Sequence, residues 1–140
     1  MTLDGWTWNN ETSVSSEKGA GQPIINEILD QLQQNHWGES DIFAIHLCLE
    51  EALVNAIRHG NGYDPAKLVR VVCQISTKCC RIEITDEGEG FNPQAVPDPT
   101  DADHLDLPTG RGVHLIHSFM SKVRYNDSGN SLTMEKLRDG

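Results

Sequence analysis

The sequence has no long apolar run, no excess of positive charge and no cysteine pair at metal-binding spacing, and each absence excludes a class of protein. No apolar stretch approaches the length of about 20 residues that a membrane-spanning helix needs, and the first residues lack the features of a signal peptide. The 11 Lys and Arg residues are outnumbered by 21 Asp and Glu, which gives a net charge of −10. Such a field repels nucleic acid and anionic lipid. We therefore expect a cytoplasmic protein that binds neither nucleic acid nor membrane.

The four cysteines show neither CxxC spacing nor a His/Cys cluster of the kind that holds zinc. Cys48 and Cys73 lie in apolar runs, where a free thiol behaves as a small hydrophobic group. The adjacent Cys79 and Cys80 would point to opposite faces of a strand, so a disulfide between them would be strained. The sequence therefore predicts four reduced thiols.

The composition that remains is that of an ordinary globular domain. Hydrophobic residues make up 37% and charged residues 23% of the 140 residues. A domain of this length buries about two thirds of the surface of its unfolded chain. Because no repeat or compositional break divides the sequence, we predict one domain over residues 1–140, with an N-terminal strand or arm over about 1–20.

The apolar spacing predicts helices and strands in alternation. A first amphipathic helix has apolar residues from Ile24 to Leu32 and continues to about Trp37 and Gly38. A second, largely buried helix covers Ile42 to Ile57, capped by Ser40 or Asp41 and ending at Gly60. The remaining predicted elements are strands over Leu68–Ile75, Arg81–Thr85 and Ser131–Leu137, a long loop over Phe91–Thr109, and a helix from Gly110 through Val123.

Four polar residues form one stripe on the second predicted helix. The other three lie four, seven and eight positions after Glu51, at Asn55, Arg58 and His59, so all four side chains share one face of the helix. A carboxylate that can polarise a hydroxyl, one turn from an amide oxygen that can bind Mg²⁺, is a plausible pair for phosphoryl transfer. A hydrogen-bond network between helices explains the stripe equally well.

A polar turn follows the second predicted strand. The sequence Asp86-Glu87-Gly88-Glu89-Gly90-Phe91 has alternate glycines, which permit positive φ and close approach of a ligand to the backbone. Asp86, at the strand end, suits an exocyclic amine such as that of adenine. A simple turn that ends the strand is the alternative.

A second glycine motif opens the third predicted helix. In Thr109-Gly110-Arg111-Gly112, the free N–H groups of the first helical turn favour an anion such as phosphate. Arg111 could reach a phosphate oxygen, although an arginine in this position is as often solvated.

Taken in this order, the motifs resemble those of the GHKL (Bergerat-fold) ATPases. The stretch Glu50–Gly60 resembles the N box, Asp86–Phe91 the G1 box and Gly110–Met120 the G2 box. Within that superfamily, the short chain and the residues of its N box are most similar to those of the anti-sigma factor serine/threonine kinases.

The resemblance implies a fold and a set of roles. The fold would be an α/β (α+β) two-layer sandwich, with helices on one face of a mixed or antiparallel sheet. Glu51 would be the general base, Asn55 would coordinate Mg²⁺, and Asp86 would bond the adenine amino group. Residues 92–109 would form the ATP lid. The other expected nucleotide-binding residues are His59, Gly88, Gly90, Thr109, Gly110, Arg111 and Gly112.

The same resemblance implies an activity and its partners. The chain would be an ATP-dependent kinase that phosphorylates an anti-anti-sigma protein of STAS type, with a sigma factor as a second partner and a homodimer as its assembly. A histidine autokinase is disfavoured, because the residues ahead of Ile42 are too few for a helical phosphoacceptor segment. The alternative is a regulatory module that binds ATP and transfers little or no phosphate.

Overall fold

The computed structural model describes residues 5–88, 110–126 and 130–138, with only the backbone for 110–114. Five strands form one sheet in the order β1-β2-β3-β5-β4, and every neighbouring pair is antiparallel. The elements are β1 Trp8–Ser15, α1 Gln22–Gln34, α2 Glu39–Val54, a π-helix Asn55–Gly60, β2 Leu68–Ile75, β3 Cys79–Thr85, α3 Gly110–Phe119, β4 Lys122–Tyr125 and β5 Ser131–Leu137. Among the described residues, no helix is long and apolar enough to span a membrane.

The core lies between one face of the sheet and the helices. Side chains alternate along the inner strands, so every second residue of β2 and β3 is buried. The pairs Val71 with Ile84 and Ile82 with Met134 place these buried residues side by side across the sheet. Helices α1 and α2 cover them with a continuous apolar surface made of Ile24, Ile25, Ile28, Leu32, Ile45, Cys48, Leu49, Ala52 and Leu53. The expected two-layer sandwich is confirmed, and its sheet is antiparallel.

The cysteine prediction agrees with this arrangement. All four thiols are free, and Cys80 is buried on the core face while its neighbour Cys79 is half-buried on the other. Burial raises the pKa of Cys48 and Cys79 to about 11, so both remain protonated at neutral pH. These thiols fill space and are poor nucleophiles.

The predicted cap of the second helix was wrong. Helix α2 begins at Glu39, and its N-cap is the extended Gly38, which makes no side-chain cap hydrogen bond. Asp41 lies in the first turn instead, buried, with its Oδ1 atom 3.6 Å from Nζ of Lys136 on β5. A carboxylate in this position still interacts favourably with the positive end of the helix dipole. Asp41 therefore fastens the start of α2 to the last strand.

The third predicted helix was too long by several residues. Helix α3 ends at Phe119, and Val123 belongs to the edge strand β4, where it pairs with Met134. The apolar residue at 123 satisfied the helical spacing, although it also alternates with Lys122 and Arg124 as a strand requires. Strand β3 likewise begins at Cys79, two residues earlier than predicted.

Candidate functional site

The helix that carries the polar stripe changes its winding at Asn55. After Val54 the α-helix continues as a π-helix, in which the N–H of Asn61 bonds to the carbonyl of Ala56, five residues back, at 2.9 Å. Single π-helical turns of this kind occur frequently at functional sites. The change begins at the residue for which the sequence predicts a role in binding Mg²⁺.

This winding redistributes the predicted stripe. Glu51, Asn55 and His59 are all half-buried, whereas Arg58 is exposed. The spacing argument assumed an α-helix throughout, and the wider π-turn moves residues after Asn55 out of that register. The N–H of Asn55 bonds to the carbonyl oxygens of Ala52 and Glu51, so the backbone ties the predicted base to the predicted metal ligand.

Asp86 directly follows β3 and is held on both sides. Its N–H donates to the carbonyl of Asn130 at 2.9 Å, and its own carbonyl accepts from Nδ2 of Asn130 at 3.1 Å. Its carboxylate Oδ1 accepts from the N–H of Gly88 at 2.8 Å. Burial raises the pKa of Asp86, and the Gly88 N–H and the nearby Lys67 oppose that rise without cancelling it.

The turn at Asp86 packs directly against the end of the π-helix. A Cβ added to Gly60 would lie 2.3 Å from the carboxylate carbon of Asp86, and a Cβ added to Gly88 would lie 2.0 Å from the carbonyl oxygen of Gly60. Neither position has room for a side chain. Gly88 does not use the positive φ that a glycine permits, because its φ lies outside that range. The group that approaches Gly88 closely in the structure is the backbone carbonyl of Gly60.

A buried amide, which the sequence did not predict, joins these segments. Asn61 is 3% exposed, and its Oδ1 accepts from the N–H of Glu87 at 2.7 Å. Its Nδ2 donates to Oγ of Ser16 at 2.9 Å and to the carbonyl of Leu68 at 3.0 Å. In the sequence, Asn61 stands between two glycines and is typical of an ordinary turn. Only the buried bonds to distant segments distinguish it.

The remaining site residues lie at the edge of what the structure describes. The backbone of Gly110 through Gly112 begins α3, as the glycine motif predicts, and the side chain of Arg111 is outside the described residues. Gly90, Thr109 and the predicted lid over 92–109 are outside them as well.

A magnesium ion at this site would be held mainly by a nucleotide and little by the described residues. They contain no group of three or more His, Cys, Asp or Glu side chains placed to hold a metal. Mg²⁺ usually takes few protein ligands and completes its shell with water and substrate phosphates. The half-buried Asn55 supplies one amide side chain, which is compatible with this mode.

Comparisons with known proteins give a consistent picture. A family model described as a histidine kinase-like ATPase domain matches residues 14–136. The serine/threonine-protein kinase BtrW of Bordetella bronchiseptica is 27% identical over 105 residues, which are 72% of this chain and 74% of that protein.

The same fold occurs in a solved structure of the RsbU and RsbW domains of a Mycobacterium tuberculosis protein. The TM-score is 0.65 at 16% identity, over 96% of this chain. This chain spans about a third of that longer one, 34% of its length. The family match covers most of the sequence and includes α2, the π-helix, β3 and α3. The chain therefore belongs to the histidine kinase-like ATPase domain family.

Proposed function

We propose that this chain is an ATP-dependent serine/threonine protein kinase of the anti-sigma factor type, which phosphorylates an anti-anti-sigma protein. The observation that carries the proposal is the junction of Gly60, Asp86 and Gly88, where the turn that we propose to bind adenine packs on the end of the helical segment that bears Glu51 and Asn55. Family membership and the name of the curated relative support the kinase class.

In this proposal each segment has one task. Asp86 accepts a hydrogen bond from the adenine amino group, since its carboxylate is already oriented by the N–H of Gly88. The backbone N–H groups at the start of α3 would hold phosphate oxygens. Asn55 would supply an oxygen to Mg²⁺, which neutralises charge on the phosphates when bound.

Glu51 is the proposed base. It lies one turn before Asn55 and is half-buried, so its carboxylate is partly shielded from water. A serine or threonine hydroxyl of the partner would transfer its proton to Glu51 as its oxygen bonds to the γ-phosphorus. The bond between that phosphorus and the ADP oxygen breaks in the same transfer.

The rival function is a regulatory module that binds ATP and switches its affinity for a partner without phosphate transfer. Both functions require nucleotide binding, so a measurement of phosphate transfer is needed to separate them. We expect Glu51→Gln to slow transfer by about a hundredfold or more, a typical loss for a general base, while ATP affinity stays within a few-fold.

A neighbouring carboxylate provides the control. Glu50 is exposed, and its Oε1 bonds to Nε2 of His46 at 2.8 Å on the solvent side of α2. Glu50→Gln should therefore leave transfer unchanged. The assay follows radiolabelled phosphate from Mg²⁺-ATP to a STAS-type protein of the same organism. Equal transfer by wild type and Glu51→Gln would exclude Glu51 as the base, and ATP binding without transfer by wild type would favour the regulatory module.

A further inference from the structure

Asn61 stands where four segments of the chain meet. Its side chain reaches Ser16 just after β1, Leu68 at the start of β2, and Glu87 in the turn after β3. Its own N–H closes the π-helix on Ala56. A residue with this many bonds to distant segments fixes their relative positions.

The orientation of this amide follows from its partners. Glu87 offers only an N–H and Leu68 only a carbonyl oxygen, so Oδ1 must face the former and Nδ2 the latter. Ser16 is fully buried, and its hydroxyl donates to the carbonyl of Lys67 at 2.6 Å while it accepts from Asn61. Each buried side-chain group in this network therefore has a partner of the correct type.

The network holds the turn that contains Asp86. Glu87 lies between Asp86 and Gly88, and its N–H donates the hydrogen bond to Oδ1 of Asn61. The Glu87 carboxylate is bonded in turn to the N–H of Leu68. A shift of Glu87 would move the carboxylate of Asp86 relative to the helix end at Gly60, against which it packs closely.

We propose that Asn61 is a positioning residue for adenine recognition, acting through the turn at Glu87 on the carboxylate of Asp86. This inference rests on the proposed function, in which Asp86 accepts a hydrogen bond from the adenine amine. Asn61 itself touches no nucleotide in this scheme. Replacing Asn61 should therefore change mainly the preference for one base over another. It should change the binding of the phosphates and sugar less.

The experiment compares ADP with inosine diphosphate on the full chain in the presence of Mg²⁺, by titration calorimetry. Inosine carries a carbonyl oxygen where adenine carries the amino group, and an N–H at the neighbouring ring nitrogen, so the ratio of the two affinities measures the contacts to this edge of the base, including that of Asp86. We expect Asn61→Ala to lower ADP affinity by about tenfold, the effect of losing one well-placed charged hydrogen bond. Inosine diphosphate affinity should change much less, so the preference for ADP collapses.

Trp37→Phe is the matched control. The indole Nε1 of Trp37 donates a buried hydrogen bond to the carbonyl of Ser76 at 2.9 Å, at the opposite end of β2 from Leu68. This variant also loses a buried hydrogen bond and should also lower the melting temperature. It should leave the ratio of ADP to inosine diphosphate affinity unchanged, because it does not contact the turn at Asp86.

An Asn61→Ala variant that keeps the wild-type preference for ADP overturns the inference. If that variant does not fold, Ser16→Ala takes its place, since it removes one hydroxyl from the network, and it should lower the preference in the same direction by a smaller factor. A preference equal to that of wild type in Ser16→Ala then contradicts the inference. If wild type itself does not prefer ADP, the proposed function fails first, and the inference fails with it because no adenine contact exists to position.

Discussion

At the scale of single residues, the carboxyl group of Asp86 combines a cost to folding with a proposed role in binding. Its pKa is raised above the ordinary value of 3.8, chiefly by burial. A raised pKa means that the folded chain holds this proton more tightly than the unfolded chain does. The contribution of Asp86 to stability is therefore complete below pH 3.8 and is lost as the pH rises through the raised pKa. At neutral pH the ionised group opposes folding.

Asp86→Asn should therefore be at least as stable as wild type at pH 7 without nucleotide, because the amide cannot ionise. Urea denaturation at a series of pH values checks this. The gain of the variant over wild type should be largest near neutral pH and should disappear under acid conditions. A variant that is less stable than wild type at pH 7 would show that the ionised carboxylate makes favourable contacts that outweigh its burial.

The same substitution predicts a change of base preference. The N–H of Gly88 bonds to Oδ1 of Asp86, and in the variant it should bond to the amide oxygen. The amide –NH₂ group is then the one available to a base, and it suits the carbonyl oxygen of inosine better than the amine of adenine. We expect Asp86→Asn to bind inosine diphosphate more tightly than ADP, as measured by competition with a fluorescent nucleotide. A retained preference for ADP would remove Asp86 from adenine recognition.

At the scale of elements, the sequence pattern predicts most helices and strands well. It fails where one short segment fits both the helical spacing and the alternation of a strand. The bounds of β2 and β5 match the prediction, because β2 is rich in β-branched residues and apolar residues alternate with polar ones over most of β5. Strand β4 was missed because Val123 fits both the helical spacing of α3 and the alternation of a strand. Neighbouring strands decide between them, and that pairing is not visible in the local sequence.

For the candidate site, Glu51, Asn55 and Asp86 could be proposed from their motifs. The π-helix could not be predicted, since a hydrogen bond five residues back leaves no periodic signature in six residues. The role of Asn61 was also hidden, because it depends on burial against segments as distant in sequence as Ser16.

The ion pair between Asp41 and Lys136 gives a prediction at this scale, because it joins α2 to β5. Their side chains are 5% and 13% exposed. Lys136→Met removes a cation from a buried carboxylate and should lower the free energy of unfolding by about 3 kcal/mol or more. The double variant Asp41→Asn with Lys136→Met should recover part of that loss, because the remaining group is neutral.

An exposed ion pair provides the comparison for this measurement. Arg70 and Glu11 pair across β1 and β2 with side chains 51% and 58% exposed, so Arg70→Met should change the urea midpoint little. If Lys136→Met is as well tolerated as Arg70→Met, the contact between α2 and β5 does not depend on this pair.

At the scale of the whole molecule, the proposed nucleotide site is assembled from segments that are far apart in sequence. Ser16 follows the first strand, Asn61 ends the π-helix, and Asn130 precedes the last strand and bonds to Asp86. The sheet order β1-β2-β3-β5-β4 means that these segments come together only when most of the sheet has formed. Bound nucleotide should therefore stabilise the domain as one unit.

Urea denaturation with and without Mg²⁺-ADP tests this. A ligand at about 100 times its Kd raises the free energy of unfolding by about 2.7 kcal/mol if it binds only the folded state. The urea midpoint should rise by that free energy divided by the m-value, which is the slope of the free energy of unfolding against urea concentration. The m-value should not change, because the same surface is exposed on unfolding. A second transition that appears only with nucleotide would show that the site lies on a part of the chain that unfolds separately. Such a result would contradict assembly of the site from the whole sheet.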